Sequence, residues 1–157
     1  MEGAIERMTS DLRELIFEVS AQLDDGLPIL RSWAIRMAED ALRAAGIPKA
    51  WKGNEEHLSW RALSLAKTYI ASGSGREAVR DAADAATAIA RARGKDPSSP
   101  ALWAAANAAR ASFVAPDATL ERVEKAADSA TKAITIATQQ RYRAWLVDVL
   151  PEMEDSE

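Results

Sequence analysis

A chain of 157 residues with 48% hydrophobic and 28% charged side chains can bury one core and keep a solvated surface, which excludes disorder throughout. With no cysteine and one histidine, disulfides, thiolate metal sites and cysteine nucleophiles are excluded, and no metal, cofactor or catalytic group is expected. The formal charge of −4 is unevenly placed, with net +4 over residues 61–110 between two segments of net −4, and the lack of a dense basic cluster argues against a nucleic-acid ligand.

Thirty-four alanines and the absence of period-two runs of β-branched residues favour helix nearly everywhere. Ile5, Met8, Leu12, Leu15, Ile16, Val19 and Leu23 line one face of a first helix over about 3–24, which Asp24-Asp25-Gly26 ends. Pro28 in a first turn opens the second helix, with Leu30, Trp33, Ala34, Met37, Ala38, Ala41 and Leu42 inward, and Gly46 followed by Pro48 closes it. After a loop from Ile47 to Gly53, Asn54 is the expected cap of a third helix carrying Leu58, Ala62, Leu65, Ala66 and Tyr69 inward and stopped by Gly73-Ser74-Gly75. Ser74 and Glu77 have the spacing of a capping box at the head of the fourth helix, which runs to about Arg93. Ser99-Pro100 starts the fifth, with Leu102, Ala105, Ala106, Ala109 and Phe113 inward, and Pro116 forces the chain out of it. From about Ala118 to Val149, Leu120, Val123, Ala127, Ala130, Ile134 and Ala137 keep helical spacing and predict one long C-terminal helix. The expectation is an all-α, single-domain bundle of about six antiparallel helices over residues 1–150, followed by an acidic tail at 151–157. No stretch approaches the roughly 20 apolar residues of a membrane span, and Met1-Glu2-Gly3-Ala4 lacks a signal-peptide n-region, so a cytoplasmic protein is expected.

The titratable groups do not assemble into a catalytic motif. His57 follows Glu55 and Glu56, but Asn54 stands where a di-iron Glu-x-x-His motif needs a glutamate, so His57 reads as a solvated helix start. Asp81 and Asp84 lie one turn apart beside Arg76 and Arg80, the pattern of an exposed ion-pair network. The tryptophans are more informative. Trp33, Trp60, Trp103 and Trp145 fall within helices, where large rings fill gaps between alanine faces. Trp51 lies in a loop with Lys52, Asn54, Glu55 and Glu56, where it either clamps its own domain or anchors a partner. Trp103, Asn107 and Arg110 share one side of the fifth helix and form a second contact face, unless Asn107 makes only an interhelical hydrogen bond.

Trp60-Arg61-Ala62-Leu63 through Tyr69-Ile70-Ala71-Ser72-Gly73, Glu77-Ala78-Val79-Arg80-Asp81-Ala82-Ala83, Ala101-Leu102-Trp103-Ala104-Ala105-Ala106-Asn107-Ala108-Ala109-Arg110 and Tyr142-Arg143-Ala144-Trp145-Leu146 together resemble the alanine-rich helical immunity proteins of bacterial toxin systems, over about residues 60–150. The resemblance implies a protein that binds and neutralises a cognate toxin. On this reading the partner is a protein, such as a basic toxin met by the acidic tail. The alternatives are a phage or mobile-element inhibitor or adaptor that blocks a subunit of a defence complex, and a helical scaffold whose alanine seams pack between copies of the chain as a homo-oligomer.

Overall fold

The computed structural model describes residues 12–50 and 55–150, of which 79% are helical and none lies in a strand. Seven helices occur among them: α1 (Leu12–Gln22), α2 (Gly26–Ala44), α3 (His57–Ser72), α4 (Arg76–Arg93), α5 (Ser99–Ala111), α6 (Pro116–Thr131) and α7 (Ile136–Val149). The all-α expectation holds. None of these helices is long and apolar enough to cross a membrane. The first turns predicted from Ile5 and Met8, the Asn54 cap and the acidic tail fall outside the described residues.

Helix α5 is the centre of the bundle because it is small and apolar on all but one side. Ala104 to Ala109 are all buried, and only Pro100, Trp103 and Arg110 are partly exposed along its length. Apart from that one narrow stripe the helix offers no polar face to solvent and has to be covered. It packs against α2, α3, α4 and α6, and α4 and α6 also bury alanines, namely Ala82, Ala83, Ala86 and Ala90 on one and Ala126, Ala127 and Ala130 on the other. Bulk is supplied from outside this layer, by Leu15, Ile16 and Val19 of α1 and by Leu30, Trp33, Met37 and Leu42 of α2.

The C-terminal end of α5 is buried too, so its last carbonyls need internal donors. The carbonyls of Ala109 and Arg110 accept from the backbone N–H groups of Ser112, Phe113 and Val114, and Arg31 of α2 serves the rest of the corner. Its Nε donates to the Ala111 carbonyl at 2.9 Å, and its Nη2 donates to the Val114 carbonyl at 3.2 Å and to the Thr119 hydroxyl at 3.0 Å. Burial pulls the Arg31 guanidinium below its usual value, with the nearby Tyr69 acting weakly the other way. One side chain thus ties α2 to the α5–α6 corner.

Two turns are set by glycine. At the α1–α2 corner the backbones approach so closely that a Cβ on Gly26 would stand 2.2 Å from the Val19 carbonyl oxygen. At the end of α2, Gly46 has φ +73° and its N–H donates to the Arg43 carbonyl at 3.0 Å, while Ile47 N–H donates to Leu42 at 3.0 Å. This is the Schellman pattern, and it turns Ile47 into the core. Trp60 then pins the loop through Nε1 to the Ile47 carbonyl at 2.8 Å, with the Lys49 ammonium 4.8 Å and the Arg43 guanidinium 5.4 Å from its ring centroid.

Two local expectations are corrected. Helix α4 begins with Gly75 in the capping position at φ +93°, and the Ser74 hydroxyl pairs with that of Ser72 at 3.1 Å, so no Ser74–Glu77 capping box forms. Ser74 sits one residue too early, because two glycines let the chain turn once more before the helix starts. The predicted long C-terminal helix is two helices, α6 and α7, broken at residues 132–135. Ile134-Thr135-Ile136 is a β-branched run of poor helix propensity, and Thr135 is an N-cap whose Oγ1 accepts the Thr138 N–H at 3.2 Å. Gln139 Nε2 closes the corner by donating to the Thr131 carbonyl at 2.9 Å and to that of Ile134 at 3.3 Å.

Helix α7 is held to α2 by Trp33 and Tyr142. Trp33 Nε1 donates to the Tyr142 carbonyl at 2.9 Å, and the two rings meet edge to face with centroids 6.1 Å apart. The Tyr142 hydroxyl directs its one proton between the Arg36 carbonyl, 2.9 Å away, and the Asp40 carboxylate. Burial, and after it the hydrogen bond to Asp40, pushes the phenol well above its usual pKa.

Gly26→Ala is expected to lower stability by about 1–3 kcal/mol, since the new methyl forces the α1 and α2 backbones apart; urea unfolding measures it, and an unchanged midpoint would contradict the close approach. The raised Tyr142 pKa predicts an alkaline effect whose sign is set by linkage: the unfolded phenol ionises from about pH 10 while the folded one stays protonated, so stability present below pH 10 is lost as pH rises, by at most about 1.4 kcal/mol per pH unit. Unfolding curves of the wild type and Tyr142→Phe between pH 8 and about 11 should show a shallower alkaline decline in the variant.

Candidate functional site

Trp103 is the one large apolar side chain that α5 turns outward. The start of that helix is held by Asp96, whose Oδ1 accepts the Ser98 N–H at 2.9 Å and the Ser98 hydroxyl at 2.8 Å; the backbone bond first, then the hydroxyl, holds this carboxyl below the usual carboxylate range. With the helix anchored there, Trp103 stands half-buried between two adjoining cavities of about 450 and 310 Å³ that share Trp103 and Ser129.

The rim of this groove is cationic. Arg91, Arg122 and Lys125 border the first cavity, and Lys95 and Lys132 the second. Two carboxylates also border it, and both are committed: Asp96 to Ser98, and Asp128 to Arg13 of α1 at 2.7 Å. Asn107, one turn on from Trp103, is buried; its Nδ2 donates to the Trp103 carbonyl and its Oδ1 accepts from Arg122 Nη1, each at 3.1 Å. Asn107 therefore positions the Arg122 guanidinium beside the indole. Lys125 pairs with Glu121 at 3.0 Å on the α6 surface, and that hydrogen bond and charge hold the Glu121 carboxyl below its usual range. The arrangement is an aromatic surface framed by positive charge, with no group among the described residues grouped for metal binding.

The residues singled out from sequence separate here. Trp51, Lys52 and Asn54 lie outside the described residues. Glu55 is exposed at the head of α3. Glu56 is turned inward and accepts from Arg93 Nη2 at 3.0 Å, joining the start of α3 to the end of α4. Trp103 and Asn107 share the groove, but Asn107 makes the interhelical hydrogen bond rather than facing outward. Arg110 points away from the groove, bonded to the Thr87 hydroxyl at 3.2 Å and to Asp84 at 2.9 Å. Asp84 thus pairs with α5 and not with Arg76 or Arg80, while Asp81 lies 4.0 Å from Arg80. His57 opens α3 and is half-buried rather than fully solvated, because the first turn of α3 lies against the rest of the bundle. Sequence reading missed Arg91, Lys95, Arg122, Lys125 and Lys132; the positive segment 61–110 signals the first two, whereas the other three lie in a stretch of net negative charge. Compared with protein-family models, curated proteins and solved structures, the chain matches none.

Asn107→Ala is expected to cost about 1 kcal/mol of stability through its two lost hydrogen bonds, with Arg122 relaxing into solvent, as urea unfolding would measure. A cost indistinguishable from zero would mean that Asn107 does not hold Arg122.

Proposed function

We propose that the protein is a non-catalytic binding module that docks an acidic segment of a partner protein along the Trp103 groove. The observation that carries this reading is the set of five cations around a half-buried indole, with both bordering carboxylates already committed inside the chain. Charge of one sign steers an oppositely charged partner and sets its register, while an aromatic side chain in a partly desolvated niche contributes most of the affinity. The groove suits a segment of a partner rather than a broad face. The likeness to immunity proteins supplies the biological form of the activity: the partner is a toxin met in the cytoplasm of the producing cell, and occupancy of an essential surface neutralises it. An inhibitor or adaptor that blocks a defence complex would use the groove in the same way. The acidic tail and the Trp51 loop, which point by their charge and position to other contacts, lie outside the described residues, so the reading rests on the groove.

Affinity capture from the native host tests it, using the wild type, Trp103→Ala and the double charge reversal Lys125→Glu/Lys132→Glu. The expected result is a protein partner with an acidic contact segment, bound about 30-fold or more weakly by Trp103→Ala, a loss of about 2 kcal/mol, and lost from the charge-reversed variant, at melting temperatures that keep both variants folded. A partner held equally by all three proteins overturns the proposal. So does capture that disappears on nuclease treatment, which would assign the groove to nucleic acid.

A further inference from the structure

On the other side of the bundle α7 reaches α2 through aromatic rings rather than small side chains. Trp33 meets Tyr142 edge to face, and Tyr142 stacks on Trp145 with centroids 6.1 Å apart. Beside these rings lies a cleft of about 410 Å³, with Ile35 of α2, Ile70 and Ala71 of α3 and Trp145 of α7 as its apolar walls and Arg36 and Lys67 as its cations. A smaller hollow of about 270 Å³ adjoins it through Arg36 and Trp145. The larger volume falls in the range of small-molecule sites, about 300–1,000 Å³.

The charges in this cleft do not cancel. Glu39 is buried between the two cations, 2.5 Å from the Lys67 ammonium and 3.9 Å from Arg36 Nε. One carboxylate thus serves two cations, and its close contact is with Lys67. Asp40, the other nearby carboxylate, accepts from Arg43 at 2.8 Å and from the Tyr142 hydroxyl. Among the described residues the Arg36 guanidinium therefore makes no hydrogen bond, only the long contact to Glu39, and stands at the cleft with one positive charge in excess. A planar guanidinium with open Nη groups matches a carboxylate in bidentate geometry, and the walls beyond it offer aliphatic and indole surface.

We propose that the α2–α3–α7 cleft binds an apolar monocarboxylate, with its hydrocarbon against Ile35, Ile70 and Trp145 and its carboxylate on Arg36. A dianion such as a phosphate monoester fits less well in the cleft itself, because Lys67 is matched by Glu39 and the further cation, Arg141, lines the adjoining hollow instead. This site is separate from the Trp103 groove and does not depend on what docks there.

Octanoate is the probe. Titrated into the full chain and followed by calorimetry and by amide and indole NMR shifts, it is expected to bind with a millimolar dissociation constant and to move signals of Ile35, Ile70 and the Trp145 indole N–H. Octan-1-ol should bind about tenfold or more weakly, and Arg36→Gln should lose the same factor for octanoate while leaving octanol binding unchanged. Ile70→Trp, which fills the cleft, should abolish binding of both ligands without loss of helical signal. Trp103→Ala should bind octanoate like the wild type, so failure here is distinguishable from failure of the groove. Equal binding of octanol and octanoate, tighter binding of octyl phosphate, shifts confined to other helices, or none up to about 20 mM would each overturn the proposal.

Discussion

Helix α5 has to meet two conditions together: it is enclosed on all but one narrow side, and almost everything it offers its neighbours is a methyl group. Each buried alanine removes little apolar area from water, so this layer is stabilised mainly by the density with which backbones approach. The same density removes tolerance, because a larger side chain at Ala105 or Ala106 would force α2, α4 or α6 outward rather than fill a gap. Enclosure also removes water from the end of the helix. The carbonyls of Ala111 and Val114 then depend on Arg31, and the length and planarity of that side chain allow one residue of α2 to serve three acceptors at the α5–α6 corner. A lysine in its place would offer the charge without the fork.

An alanine layer leaves no room for large rings, and their positions follow from that exclusion. Trp103 is on α5 but outside the seams, at the margin between α4 and α6. Trp33, Tyr142 and Trp145 gather where α7 lies over α2, outside the alanine layer altogether. Rings at a margin cannot be closed over by small neighbours, so a groove appears beside Trp103 and a cleft beside Trp145. Both hollows have the same physical origin: tight packing at the centre leaves its mismatch in side-chain size at the edge.

Helix existence was legible because alanine content, glycine stops and prolines at helix starts point the same way along most of the chain. At Ser74 the residue types of a capping box are present, yet Gly75 offers a further turn that spacing cannot reveal. At Thr135 the three-four spacing continues across the break through Ala130, Ile134 and Ala137, although Ile134 is buried at the corner and Ala137 is exposed in the next helix, so periodicity masked a cap that the β-branched run marks. The groove was half legible. Trp103 and Asn107 are four residues apart on one helix, and that relation is local. Arg122, Lys125 and Lys132 reach the same rim from α6, a relation that only the packing of α6 on α5 creates.

Electrostatics shows the same dependence on packing. The chain carries a formal charge of −4, which by itself points to basic partners. At physiological ionic strength charges act over about 8 Å, so a ligand in the groove responds to the groups on its rim and hardly to the total. There, the two carboxylates that would oppose the cations are turned to internal work, Asp96 bonding Ser98 just before α5 and Asp128 holding Arg13 of α1. The ion pair with Arg13 offsets the charge of Asp128, while Arg91, Lys95 and Lys132 keep their ammonium and guanidinium groups at the rim. An acidic protein thus presents a positive groove because packing brings five cations and only two carboxylates to that rim.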